Sequence, residues 1–373
     1  MLDVSSLAST TGPVLVVGSG LLGASIGLAL STQDVQVYLQ DASPTAVALA
    51  RDVGAGQILG PQAPDPHLVV IAAPPDVAAD LIADALGTYP DAVVTDVASV
   101  KGVILRELEQ MGGVDLSRYV GSHPMAGREK SGAAAASAEL FAGRPWVITE
   151  HPDAEPGAVR TVRHLATDLD ATPVHLEPDQ HDQAVAVVSH LPQLMASVVA
   201  ARLIDAPEEV LALAGQGLRD VTRIAASDPR LWSAIITGNA GAVLATVQQV
   251  RSDLDRLIEA LQPVDADGPL ALGATAGVAA LVSAGNDGAG RVPGKHGGVR
   301  RRYAEVTVLV PDEPGELGRL FSEIGEIGVN IEDFQMEHSY RQKVGMAIVS
   351  VMPGAATTLE ESLTARDWRV VAR

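Results

Sequence analysis

The stretch from Val120 to Gly132, VGSHPMAGREKSG, places His123, Arg128, Glu129 and Lys130 within eight residues. An imidazole in such a segment is a candidate proton acceptor, because its ordinary pKa of about 6.5 suits proton transfer near neutral pH. The segment is polar and glycine-rich. It is expected as a loop at the carboxyl end of a strand, and in an open parallel sheet that is where the ligand lies. A turn with a capping serine is the simpler use of the same residues.

A second chemical signature precedes it. Gly18-Ser-Gly-Leu-Leu-Gly23 follows a short apolar run, Pro13–Val17, and opens a small-residue helix. The first glycine permits a tight turn, and the second lets backbone approach a pyrophosphate. The third lets helix pack on strand, and the helix N-terminus receives the negative charge. Gly18, Gly20, Leu21, Leu22 and Gly23 are therefore candidate cofactor contacts. A second strand, Val35–Leu39, ends near Asp41, eighteen residues beyond Gly23. A carboxylate there accepts hydrogen bonds from a ribose 2′-hydroxyl. No arginine follows at once to hold a 2′-phosphate, which favours NAD over NADP. A glycine-rich turn with a capping aspartate is the alternative.

The elements that must position these residues alternate in type. Leu68–Pro75 is a strand ending in a proline loop, with Pro74 placed to border a nicotinamide. A helix follows over Val77–Leu86. Ala92–Ser99 is the next strand and its loop, and Ser99 either caps the following helix or shares the crevice. Strands at Tyr119–Ser122, Pro145–Thr149 and near Pro173–Leu176, with a helix over Ala158–Leu169, complete the pattern. Repeated strand–helix units imply an α/β, doubly wound domain over residues 1–176.

The character changes at about Glu177. Asp182–Ile204 is apolar at helical spacing and is interrupted by Ser189-His-Leu-Pro-Gln193, where Pro192 kinks or starts a helix. Further helical segments are expected over Glu208–Leu213, Leu231–Asn239 and Ala242–Leu261, giving an all-helical domain over 177–284. Arg219 and Arg223 share a helix face. That face is either solvated and salt-bridged, or it turns Arg223 inward among Val221, Ile224 and Ala225 as a bidentate anion site. His190 is either a core histidine or a ligand contact. Pro269–Gly285 is apolar but rich in Ala and Gly, and it is shorter than the ~20 residues a membrane helix needs. It reads as a buried helix.

Residues 285–302 read as a glycine-rich, then basic, linker. From Tyr303 the pattern is β-α-β-β-α-β in about seventy residues, a ferredoxin-like module over 303–373. Its second strand is expected over Val329–Phe334. It carries no evident catalytic group, so binding or regulation is its expected role.

Composition narrows the function further. The chain has 373 residues, 47% hydrophobic and only 3% aromatic, with no cysteine and a formal net charge of −20. Disulfides, thiol nucleophiles and cysteine-ligated metals are excluded. A uniformly basic nucleic-acid footprint is excluded too, and anionic membranes would repel such a chain. No metal site is expected. The N-terminal Met-Leu-Asp-Val-Ser-Ser has no basic region and no long apolar run, so no signal peptide is expected and the cytoplasm is the expected compartment.

Taken together, GSGLLG at Gly18–Gly23, TDVASVKG at Thr95–Gly102, GSHPMAGREKSG at Gly121–Gly132, VVSHLPQ at Val187–Gln193 and LRDVTRIAASDPRLW at Leu218–Trp232 resemble the prephenate/arogenate dehydrogenase family of tyrosine biosynthesis. DEPGELGRLF and GVNIEDF near the C-terminus look like the first loop–helix and second strand of an ACT regulatory domain. The resemblance covers nearly the whole chain. It implies a Rossmann-type domain, a helical dimerisation and substrate domain, and a homodimer. It also implies NAD-dependent oxidative decarboxylation of prephenate to 4-hydroxyphenylpyruvate.

By the same likeness His123 takes the C4 hydroxyl proton, assisted by Ser99, and Arg223 binds a substrate carboxylate. Glu129 and Trp232 shape or gate the pocket, and Ser189 and His190 line it. Where several family members carry a second histidine after SHLP, this chain has Gln193. That leaves prephenate and arogenate both open as substrates. For the ACT module the resemblance implies feedback binding of an aromatic amino acid, tyrosine foremost, with Asp312, Gly315, Gly328 and Asn330 at matching loop positions. A nucleotide- and amino-acid-sensing protein without catalysis is the contrasting class. Such a protein would lack Ser99, His123 and Arg223, which are all present.

Overall fold

Short runs of Val, Leu and Ile without polar interruption form strands buried on both faces of a parallel sheet. In this computed structural model, which describes residues 8–127, 132–267, 273–293, 303–338 and 344–371, eight strands are joined, the central ones of this kind. They are β1 (Val14–Val17), β2 (Val37–Gln40), β3 (Gln57–Ile58), β4 (Leu68–Ile71), β5 (Val93–Asp96), β6 (Tyr119–Pro124), β7 (Pro145–Glu150) and β8 (Thr172–His175). Their order is β3-β2-β1-β4-β5-β6-β7-β8. Strand order reverses direction between β1 and β4, so the crevice of the fold opens at the end of β1, where the glycine loop begins. β6 and β7 are antiparallel and the other neighbours are parallel.

Helices α1 (Leu21–Ser31), α2 (Pro44–Asp52), α3 (Pro75–Thr88), α4 (Gly102–Met111) and α5 (Pro156–Asp168) cover the sheet. One face buries Val14, Val16, Ile26, Val47, Val162 and Leu165. The other buries Leu15, Val69, Ile82, Val94, Ile104 and Leu108. The doubly wound expectation is borne out.

The helical part follows as α6 (Pro178–Val185), a π-helical turn over Ala186–His190, α7 (Leu191–Ala201), α8 (Glu208–Leu211), α9 (Gln216–Ala225), α10 (Pro229–Gly238), α11 (Ala240–Asp267) and α12 (Ala274–Gly290). Pro192 lacks the N–H that an α-helix would direct back to residue 188, and the chain widens by one residue just before it. The run Pro178–Ala201 is long and apolar enough to cross a membrane by length and composition, and it is only partly buried in this chain. Its inward stripe is His181, Asp182, Val185, Ala186, His190, Gln193 and Ala196. Its outer side exposes Val187, Val188, Val198 and Val199.

The chain divides into two compact units, Met1–Val250 and Arg251–Arg373. In the second, β9 (Ala304–Pro311), α13 (Glu316–Ile327), β10 (Asp333–His338), β11 (Val344–Val351), α14 (Ala356–Thr364) and β12 (Arg369–Val371) form a four-stranded antiparallel sheet of order β10-β11-β9-β12. This is the β-α-β-β-α-β arrangement, with Val308, Leu320, Ile324, Val349 and Leu359 in its core.

Three expectations need correction. The helix read as buried over Pro269–Gly285 is largely exposed where described: in α12 only Ala274 is buried, and Val282 is 57% exposed. Ala and Gly present little apolar area, so their run does not demand burial. Gly277 does approach α11 closely, since a Cβ there would stand 2.6 Å from Ala260. The same helix continues to Gly290, into the stretch read as linker, whose basic residues Lys295–Arg302 lie outside the described residues. Finally, β10 starts at Asp333 rather than Val329. Gly328, at φ 77°, closes α13, and the Asn330 side chain turns onto Glu332 before pairing begins opposite Ser350.

Candidate active site

The glycine loop is built as its sequence requires. Gly18 has φ 103°, and a Cβ there would lie 2.3 Å from the Ala72 carbonyl oxygen. A Cβ on Gly23 would lie 1.9 Å from the Gly18 oxygen, so α1 can seat on β1 only without a side chain at that position. Gly20 differs: a Cβ there would meet nothing within 4 Å. It is the N-cap of α1, with no side-chain cap and no acid in the first turn. Unscreened amides and open space suit a pyrophosphate. Asp41 sits at the end of β2 and accepts hydrogen bonds from the backbone N–H of Ser19 and of Ser43. Its carboxylate thus holds the glycine loop to the end of β2. Leu21 and Leu22 open α1, half-buried, and Pro74 is the exposed N-cap of α3.

His123 stands inside β6, opposite Val147 of β7, and not in the loop expected from sequence. The antiparallel partner extends the strand past the histidine and fixes its backbone. The side chain is 8% exposed. Its Nδ1 lies 2.8 Å from Nε2 of His181, which is fully buried, and His181 Nδ1 lies 2.9 Å from Oδ1 of Asp182. Asp182 in turn accepts the backbone N–H groups of Lys101 and Gly102, each at 2.9 Å. The N-terminus of α4 is therefore capped from the helical segment. Ser99 does not cap it, and it makes no hydrogen bond to His123.

Burial lowers the His123 pKa well below 6.5, and the nearby His181, Lys101 and His190 lower it further. For Asp182, burial pushes the carboxyl up. The His181 hydrogen bond and the two α4 amides more than offset this and leave it below its usual range.

Beneath this chain lies a buried ion pair. Lys101 is bonded to Asp96, and its ammonium also donates to the Ser122 carbonyl at 2.8 Å. The Tyr119 hydroxyl donates to the other Asp96 oxygen at 2.8 Å.

His190 is 1% exposed, and its pKa falls to about 4, chiefly from burial. Asn239 Nδ2 donates to the Asp182 backbone carbonyl at 2.7 Å and lies 3.2 Å from His190 Nδ1. That nitrogen accepts, so the His190 proton sits on Nε2. Trp232 meets His190 edge-on at 6.2 Å between centroids. Gln193 donates its amide to Ser227, while Ser189 is half-buried in the π-turn. Arg223, for which a solvated face and an inward anion site are both open from sequence, is exposed on α9 in this chain. Glu129 lies outside the described residues.

The structure thus brings His123, His190 and Trp232 into one network and adds residues that sequence reasoning missed: His181, Asp182, Asn239, Lys101, Asp96 and Tyr119. A signal existed for the first pair. A His-Asp dipeptide opening an apolar helix falls on the same stripe as His190. Among the described residues no group of three or more His, Asp or Glu could hold a metal ion.

A switch-point crevice with an anion-accepting helix N-terminus, flanked by a buried histidine backed by a second histidine and a carboxylate, defines a nicotinamide-dinucleotide oxidoreductase. Comparison with known proteins makes this specific. Residues 26–175 match the prephenate dehydrogenase nucleotide-binding domain, and residues 177–272 match the prephenate dehydrogenase dimerization domain. The chain is 35% identical over 358 residues to the probable prephenate dehydrogenase NovF of Streptomyces niveus, covering 95% of this chain and 98% of that one. It is 27% identical to the prephenate dehydrogenase of Bacillus subtilis, over 87% of each. Among solved structures it is similar to the Aquifex aeolicus prephenate dehydrogenase in complex with hydroxyphenyl propionate and NAD+. That match has TM-score 0.63 and 28% identity, and covers 76% of this chain and 99% of that one. It is also similar to Synechocystis arogenate dehydrogenase, with TM-score 0.58 and 26% identity, over 75% and 99% respectively. The chain belongs to the prephenate dehydrogenase family.

Proposed function

We propose that the protein is an NAD-dependent prephenate dehydrogenase that forms 4-hydroxyphenylpyruvate and CO2 in tyrosine biosynthesis. The observation that carries this reading is the buried His123–His181–Asp182 chain at the crevice, in a member of this family. The residues present fit the cofactor: the open face of Gly20, the bare N-terminus of α1 and the Asp41 carboxylate would hold its pyrophosphate and ribose. NAD+, when bound, accepts the hydride from ring C4. His123 takes the C4 hydroxyl proton as the carbon becomes a carbonyl. Loss of CO2 from C1 returns its electron pair to the ring, and the phenolate oxygen so formed recovers the proton. Aromatisation drives the decarboxylation, so no electrophile is needed at C1.

Within this reading Arg223 binds a substrate carboxylate, and Ser189, His190, Gln193, Glu129 and Trp232 line or close the pocket, with Ser99 beside the reacting hydroxyl. A carboxamide at Gln193 both donates and accepts, which supports arogenate as the second substrate to test. The exposed valines of the Pro178–Ala201 run support a homodimer through the helical domain. The C-terminal β-α-β-β-α-β unit is read as an ACT domain binding tyrosine. In it Gly315, at φ 95°, and Gly328 bracket α13, and Asp312 and Asn330 lie on the adjoining loops.

The deciding experiment follows NADH formation from NAD+ with prephenate or arogenate, each with and without tyrosine. Turnover of prephenate supports the reading, and turnover of arogenate alone moves the substrate assignment. No turnover of either overturns the enzyme. Insensitivity to tyrosine removes the effector role.

A further inference from the structure

We propose that His181 and Asp182 are positioning residues for the base. They fix His123 in the tautomer that carries its proton on Nδ1, so that Nε2 is the atom that receives the substrate proton. The inference rests on the reading of His123 as base and specifies its working atom.

The argument runs from the carboxylate outward. Asp182, held below its usual pKa, only accepts hydrogen bonds, and it already takes two backbone N–H groups at the start of α4. Facing Asp182 at 2.9 Å, His181 Nδ1 must donate. We take His181 as the neutral ring, with one ring proton; with that proton spent on Asp182, its Nε2 presents a lone pair. His123 Nδ1, 2.8 Å away, must then supply the hydrogen. The remaining ring nitrogen of His123, Nε2, is left bare. His181 is fully buried and Asp182 and His123 nearly so, so water does not compete for these bonds.

Chemistry at Nε2 then balances without a proton moving along the chain. The substrate O–H bond breaks, its proton bonds to Nε2, and its electron pair forms the carbonyl as hydride leaves C4 for NAD+. The resulting imidazolium keeps its Nδ1–H on His181, and the Asp182 charge stabilises it from behind. Asp182 stays ionised throughout, as in other carboxylate-oriented histidines.

The pair is also held to one geometry. The backbone carbonyl of Asp182 accepts from Asn239, and a Cβ on Gly102 would stand 2.9 Å from Asp182 Oδ2. The carboxylate therefore joins two jobs: it docks the helical segment on α4, and it sets the hydrogen-bonding sense of the base.

The test uses full-length protein labelled with 15N-histidine. Imidazole nitrogen shifts are recorded with and without NAD+, and His123 is assigned by its loss in His123→Asn. The expected spectrum shows His123 protonated at Nδ1 and bare at Nε2. In Asp182→Asn that single tautomer should give way to a mixture. Asp182→Asn and His181→Gln should each lower kcat by about 10²-fold or more, within the range of general-base effects, with the substrate KM unchanged. The acid limb of the Asp182→Asn pH profile should move to lower pH, because the imidazolium has lost its counter-charge. A purely structural defect would reduce amplitude without moving that limb. Should Asp182→Asn fail to fold, His181→Gln, which leaves the α4 cap in place, decides the matter. Wild-type His123 carrying its proton on Nε2, or a foldable variant with undiminished kcat, overturns the proposal. The nuclear magnetic resonance arm reads the ring directly, so it stands even if neither prephenate nor arogenate is turned over.

Discussion

The Lys101 ammonium donates to the backbone carbonyl of Ser122, one residue before His123, while pairing with Asp96 at the end of β5. The strand that bears the base is thus pinned by a cation on the neighbouring crossover. Burial lowers the Lys101 pKa, and Asp96 and Asp182 work against that shift. Removing one partner strands the other in a dry site. Lys101→Ala should therefore cost about 3–5 kcal/mol, as for other broken buried pairs, measured by reversible denaturant unfolding. A loss under about 1 kcal/mol, typical of exposed pairs, would show that water reaches Asp96.

His123→Asn should cut turnover by about 10²–10⁴-fold, the span of a lost general base. NAD+ affinity, measured by titration calorimetry, should be nearly unchanged. Unaltered turnover would remove His123 from the chemistry.

The pH dependence follows from the direction of the His123 shift. The base works when neutral, so activity is present above its pKa and is lost as pH falls through it. Burial, His181, Lys101 and His190 place that pKa well below 6.5. The kcat/KM profile should be flat from neutrality down through pH 6.5 and fall only in more acidic buffer. A midpoint at or above 6.5 would contradict the buried setting of the ring.

Asp41→Ala should narrow the preference for NAD+ over NADP+, read as the ratio of kcat/KM for the two. It also removes the bonds to Ser19 and Ser43, so some loss of affinity for both is expected. Full retention of NAD+ selectivity would contradict the ribose role.

Val188, 64% exposed on the outer side of the Pro178–Ala201 run, tests the dimer. Val188→Glu should raise the dimer dissociation constant by roughly tenfold or more, since about 1.4 kcal/mol is a factor of ten. Sedimentation velocity at several concentrations reads this directly. An unchanged dimer would place the interface elsewhere.

Much of the fold was legible because its signals are local. Glycine spacing, apolar strand runs and the Asp41 offset each report on a few neighbouring residues, and the doubly wound sheet follows from their repetition. The network behind His123 was not legible, because its members come from distant parts of the chain. His181 lies fifty-eight residues from His123, and the Asp182 carboxylate caps a helix eighty residues earlier. Lys101 and Asp96 stood in plain view within TDVASVKG. Only the packed sheet shows that both are buried and must pair. For Arg223 the sequence leaves a solvated face and an inward anion site both open, and its apolar neighbours on α9, Val221 and Ile224, are themselves exposed in this chain. Small-residue composition likewise failed to distinguish a covered helix from the exposed α12.

The π-helical turn before Pro192 sets a phase. Each residue of an ideal α-helix advances the side chains by about 100°, so the widened turn shifts the rotational alignment of everything after it. His181 and Asp182 precede the turn and Gln193 follows it, yet all face inward. A single-residue deletion between Ala186 and His190 would restore regular helix and rotate one of these sets away from the sheet domain. The fold should therefore tolerate exchange of the exposed Val187 and Val188 in this turn far better than any change in its length.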